Sequence, residues 1–170
     1  ASSISSFAKD VLKFQTHILK NESANKQQIE YYIKNFLFTS LGENDLLVIS
    51  FHGHGITKRI NDTDYGFIVP YMENNNNTPE GLISMNDLSN WMQYIKAKHI
   101  LILLDCCFSG FSALRGQYEE YKKETVKVML DRKCRIVINA GTESQSVSDG
   151  GWGNNSIFTG CLLSFPGYKN

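Results

Sequence analysis

Apolar residues along this chain follow two spacings that take turns. In residues 3–14 they fall at Ile4, Phe7, Ala8, Val11 and Leu12, the i, i+3, i+4, i+7, i+8 series of a helix with one buried face. A second such stretch covers residues 25–39, where Ile29, Tyr32, Ile33, Phe36 and Leu37 share a face. Ser84 predicts the cap of a third helix reaching Ile95, with Asp87 at the capping-box position where Glu is more usual. Residues 117–132 are charged and helical in pattern, and residues 156–164 predict a last helix. Between these lie continuous apolar runs at residues 46–51, 100–104 and 135–140, with shorter strand candidates at 16–19 and 67–69. Runs without polar alternation suit strands buried on both faces, as in a parallel sheet under helices. Strands alternating with helices predict an α/β fold, a three-layer sandwich with a mostly parallel central sheet. Neither a repeat nor a linker interrupts residues 1–170, so a single domain is expected. The chain opens on a helix, so a strand ahead of it is expected to be missing from this sequence.

Composition narrows the function classes. Lys+Arg and Asp+Glu both number 17, and so even a balance argues against a nucleic-acid partner, which usually demands a basic excess or stripe. No apolar run approaches the ~18 residues of a membrane span. The first residues show no basic region followed by an apolar stretch, so no secretory signal is expected. The cysteines are Cys106, Cys107, Cys134 and Cys161, too few for a disulfide framework, which fits a reducing, cytoplasmic setting. Cys106 reads as a small buried side chain, and Cys134 and Cys161 lie on core-like elements.

In open α/β sheets the ligand site lies beyond the carboxyl ends of the strands. Three segments sit at such ends: Phe51-His52-Gly53-His54-Gly55, then Asp105-Cys106-Cys107-Phe108-Ser109-Gly110, then residues 139–149. Histidine, cysteine and acidic groups are thereby predicted to converge on one edge. A cysteine beside a histidine is the equipment of covalent catalysis, with the thiolate as nucleophile and the imidazole as its base and later acid. Gly53 and Gly55 would let a substrate approach the backbone and meet its N–H groups, as an oxyanion hole requires. Of the two histidines, His52 reads as structural, because its neighbour has the better motif.

These residues resemble the caspase-like cysteine peptidases, peptidase family C14, and within them the metacaspases and their prokaryotic relatives. That branch carries Gly-His-Gly at the end of one strand and Asp-Ser-Cys-His-Ser-Gly at the end of the next long one. Caspase signatures place the histidine about 50 residues before the cysteine, and here His54 and Cys107 are 53 apart. Gln145-Ser146-Val147-Ser148-Asp149 is similar to the family's Gln-Thr-Ser-Ala-Asp, and Gly153–Thr159 looks like the entry to its last large helix. Cys106 and Phe108 depart from the usual Ser and His, at positions that carry no nucleophile.

The resemblance implies that His54 is the general base and acid, that Cys107 is the nucleophile, and that the backbone N–H groups of Gly55 and Cys107 form the oxyanion hole. It implies a large-subunit-like part over residues 1–115 and a small-subunit-like part over 134–170 of a larger protein. Where caspases that cut after Asp have Gln, two residues before the nucleophile, this chain has Asp105. A carboxylate there would repel an acidic side chain and attract a basic one. Asp149 matches a second acidic position of the metacaspase pocket, and Gln145 either supports that pocket or braces its loop. The expected substrate is therefore a protein or peptide cut after Arg or Lys. No cofactor is expected, and Leu114 stands where a calcium-dependent member would have an acidic residue. The resemblance further implies a regulated effector in cell-death or defence signalling, governed by another domain or protein partner. Two other readings remain: a catalytically silent caspase-like interaction module, and a zinc site built from His52, His54, Cys106 and Cys107.

Overall fold

A computed structural model describes residues 1–73, 78–106, 132–141 and 154–164. Its central sheet has three strands among the described residues, with the one at residues 99–105 in the middle. Strand β1 (Leu46–His52) pairs in parallel with β5 (His99–Asp105), and β5 pairs in parallel with β6 (Cys134–Asn139). These are the three long apolar runs of the sequence. β5 is the central strand, and Ile100, Ile102, Leu103 and Leu104 on it are buried. β6 departs from the fully buried strand expected of it. Ile136, Val137 and Ile138 are 40–52% exposed, because β6 has a described neighbour only on its β5 side. An apolar run reports hydrophobicity, and cannot report which neighbours cover it.

Helices supply the outer layers. Helix α1 (Ser2–Asp10) stops short of the predicted residue 14, and Lys13 has φ 59°, a left-handed conformation that a helix cannot continue through. Helix α2 (Lys26–Tyr31) passes into a π-helical segment, Tyr32–Leu37, and a final turn, α3 (Phe38–Ser40). Ile33 of that run is buried, with Ile29 and Leu37 packed against the core. Helix α4 (Met85–Tyr94) is capped by Ser84 as the sequence predicts, its Oγ accepting from the Asp87 backbone N–H at 2.9 Å, but the Asp87 carboxylate accepts from the Ser84 hydroxyl at 2.7 Å, which is not the backbone bond of a capping box. The far end of α4 is closed by Arg135 of β6, whose guanidinium donates to the carbonyls of Met92 and Ile95. It thereby answers orphan acceptors that a helix end always leaves. Helix α5 (Ile157–Leu163) lies within the last predicted helix. The helix expected over residues 117–132 lies outside the described residues except for its last position.

A second sheet was invisible to the search for apolar runs. β2 (His54–Ile60), β3 (Thr63–Val69) and β4 (Ile83–Ser84) form an antiparallel sheet of order β2-β3-β4. Asn61 and Asp62 join its hairpin with φ 47° and 59°. Both values are positive, as a two-residue type I′ turn needs, and Asn and Asp tolerate them well. Only the end of β3, which includes the buried Phe67 and Ile68, showed as an apolar run.

The strand expected at residues 16–19 does not form. That segment has no ladder partner among the described residues. It lines one side of a groove of ≈ 550 Å³, whose other walls are α1, the α2–α3 helix and β1. His17 instead lies edge-on to Phe36, with ring centroids 4.8 Å apart.

Leu104, 1% exposed on the central strand, should be among the costliest truncations. Leu104→Ala is expected to lose about 2–5 kcal/mol, read as the shift of the urea midpoint at unchanged slope.

Candidate active site

The carboxyl ends of β1 and β5 stand side by side. Parallel pairing puts His52 directly across from Asp105. Just beyond, the Gly53 backbone N–H donates to the Asp105 carbonyl at 3.4 Å, so the turn leading to His54 is fastened to the residue two before Cys107. Gly53 also suits its position sterically, since a Cβ there would come within 3.1 Å of the Phe51 ring. β6 ends on the same edge, where the Ala140 backbone N–H donates to the Leu104 carbonyl at 2.9 Å. All three segments singled out in the sequence therefore leave the sheet from one side.

His54 opens β2 and is exposed. Gly55 follows it, opposite Ile68 in the hairpin. Asp105, by contrast, is only 8% exposed. Its Oδ2 accepts hydrogen bonds from Thr159 Oγ1 at 2.7 Å, from Ser156 Oγ, and from His52 Nδ1 at 3.1 Å. Its Oδ1 is buried, with no hydrogen-bond partner among the described residues. Burial pushes the carboxyl's pKa upward, but the hydrogen bonds from Ser156, Thr159 and His52 outweigh it and hold the group ionised below its ordinary value. An ionised carboxylate only accepts, so His52 Nδ1 carries the proton of that bond. His52 Nε2 lies 2.7 Å from Ser50 Oγ, so in the neutral ring it accepts from that hydroxyl. Burial lowers the pKa of His52 below its ordinary value, against the opposing pull of Asp105.

Sequence reasoning passed over three members of this cluster. Ser50 and His52 lie two apart on β1, the spacing that puts strand side chains on one face. Ser156 and Thr159 carry the spacing of a helix cap, and the Ser156 hydroxyl does accept from the Thr159 backbone N–H at 3.1 Å. Their hydroxyl protons, however, go to Asp105. The acidic residue expected to line an open pocket is thus largely engaged with the protein, with one oxygen unclaimed. Cys107, Gln145 and Asp149 lie outside the described residues, as does Leu114. Cys106 is buried, as expected, but Cys161 is exposed on α5 rather than part of the core.

The zinc reading loses a ligand here, because both ring nitrogens of His52 are engaged by Ser50 and Asp105. Among the described residues no group of three or more His, Cys, Asp or Glu gathers to hold a metal ion. No described helix is long and apolar enough to cross a membrane.

The model of the caspase domain, peptidase family C14, matches residues 1–167. The chain belongs to the caspase-domain family. This agrees with the parallel sheet flanked by helices, and it supports the chemistry of a cysteine peptidase. No curated protein is significantly similar to this caspase-domain chain. Among solved structures, it is similar to protein GSU0716 from Geobacter sulfurreducens, with a TM-score of 0.65 and 16% identity over 95% of this chain and 69% of that one. Identity so low shows a shared fold.

Thr159→Val removes one of the donors to a buried carboxylate while keeping the side chain's shape. It should cost about 1.5–3 kcal/mol at neutral pH, the range for a hydrogen bond to a charged group. The native carboxyl's pKa is held below its ordinary value, so this stabilisation is present above the unfolded-state pKa and disappears as pH falls through the native one. The gap between wild type and variant in urea unfolding should accordingly close in acid.

Proposed function

We propose that this caspase-domain protein is a cysteine endopeptidase that cleaves after Arg or Lys, with Cys107 as nucleophile and His54 as general base and acid. The observation that carries the reading is the register of β1 on β5. It sets His52 across from Asp105, and each proposed catalytic residue lies two positions further along its own segment. The Cys107 thiolate would attack the scissile carbonyl carbon, and His54 would protonate the departing amine. Water, deprotonated by His54, would then release the acyl group. The backbone N–H groups of Gly55 and Cys107 would hold the oxyanion.

Asp105 supports the choice of a basic side chain. Its buried Oδ1 has no hydrogen-bond partner among the described residues, and an unmet ionised acceptor is costly. A guanidinium or ammonium group arriving with the substrate would satisfy it. With Oδ2 already taken by three donors, Asp105 can offer that group a single oxygen, which suits Lys as well as Arg; a two-pronged grip would need Asp149 as well. Gln145 would brace the same pocket. In the family's setting, such a peptidase acts as a cytoplasmic effector of cell-death or defence signalling, restrained by a regulatory domain or partner.

Fluorogenic peptides differing only in Arg, Lys or Asp at the cleaved position test this reading. Arg and Lys peptides should be cleaved and the Asp peptide spared, and Cys107→Ala or His54→Ala should lower kcat/KM at least ~10³-fold. Preference for Asp would remove the acidic pocket. Failure of a thiol-directed peptide inhibitor with a basic first residue to label Cys107 would point instead to a silent interaction module.

A further inference from the structure

Beside the carboxylate proposed to meet the substrate's basic side chain lies a hydrogen-bonded imidazole. His52 and Asp105 are register partners at the ends of β1 and β5, joined Nδ1 to Oδ2 at 3.1 Å. Ser50 Oγ holds the other ring nitrogen at 2.7 Å. The neutral ring satisfies both contacts, donating to Asp105 and accepting from Ser50. A protonated ring can satisfy them too, since the Ser50 hydroxyl accepts once it rotates. The network therefore survives either protonation state, and what changes is its charge. Asp105 with neutral His52 carries one negative charge, and Asp105 with imidazolium carries none.

We propose that His52 is a specificity-determining residue, grading the charge that Asp105 shows to the substrate's basic side chain. The inference rests on the peptidase reading for the identity of the ligand. With His52 neutral, an incoming guanidinium or ammonium meets a full negative charge at Oδ1. With His52 protonated, the same cation meets a neutral pair and a second positive charge close by. A ligand of equal shape without charge is indifferent to the change. Two features favour the neutral ring near pH 7: burial and the Ser50 donor. The hydroxyls of Ser156 and Thr159, which crowd the same carboxylate from α5, do not titrate and keep Asp105 in place throughout.

Two peptides, one with Arg and one with its neutral isostere citrulline at the cleaved position, isolate the effect. Titration of the His54–Cys107 pair acts on both and cancels in the ratio of their kcat/KM values. That ratio should fall about tenfold as pH drops through the His52 midpoint, the low end of what a unit charge at this range does. In His52→Gln, whose amide can donate to Asp105 without titrating, it should be flat. The second measurement needs no catalysis. The His52 ring proton resonance is titrated by NMR with and without ethylguanidinium, a mimic of the arginine head group. Because coupling is reciprocal, the bound cation should lower the His52 midpoint, and Asp105→Asn should abolish the shift. A midpoint unmoved by ethylguanidinium overturns the inference, as does a ratio that stays flat in wild type or still falls in His52→Gln. If neither peptide is cleaved but the midpoint moves, the peptidase reading fails and the coupling of His52 to a cation site stands.

Discussion

One carboxylate oxygen holds three distant pieces of chain to a common point. Asp105 Oδ2 receives His52 from the end of β1 and Ser156 and Thr159 from the first turn of α5. It sits at the last position of the central strand. Were that oxygen absent, its three donors would be left in a largely buried place with poor alternatives, and each such group costs free energy. The placing of His54 depends on the same residue, because its preceding turn is pinned to the Asp105 carbonyl. The two oxygens of this side chain differ: Oδ2 is taken up by the fold, and Oδ1 has no hydrogen-bond partner among the described residues.

The parallel sheet was legible because its strands are continuous apolar runs, and so were the α2 face and the α4 cap, where Ser84 does what its type and position imply. The convergence of motifs on one edge followed from a general property of open α/β sheets. Features that depend on partners rather than patterns were not legible. The β2–β3 hairpin mixes Thr, Lys, Arg and Asp with its apolar residues, and its strongest clue was two ordinary residues, Asn61 and Asp62. Residues 16–19 have the composition of a strand but face a groove instead of a strand edge. β6 has the composition of an interior strand but lies exposed. The cluster around Asp105 was hidden for a related reason. Ser50, His52, Ser156 and Thr159 are unremarkable residue types, and their joint role comes from a meeting of segments more than fifty residues apart.

The overall charge balance also conceals local electrostatics. A chain with as many acidic as basic residues can still hold a carboxylate ionised in a largely buried setting, provided that neutral hydroxyls rather than a cation solvate it. Had Arg or Lys stabilised Asp105 from within, the site would have had no net charge to offer a basic ligand. Hydroxyl donors stabilise the anion without cancelling it, and the imidazole is the one donor there whose charge varies near neutral pH.

The register of β1 on β5 has a consequence in time as well as in space. The β2–β3 hairpin joins neighbouring stretches of chain, so it can close within about 1–10 μs. The ladder that seats His52 against Asp105 joins residues 53 positions apart, and such pairing waits on loop closure. On a ribosome adding about 5–20 residues per second, Asp105 follows His52 by roughly 3–10 s. For that interval β1 exists without the strand it pairs with. The contact between His52 and Asp105 therefore cannot form until the central strand has been made.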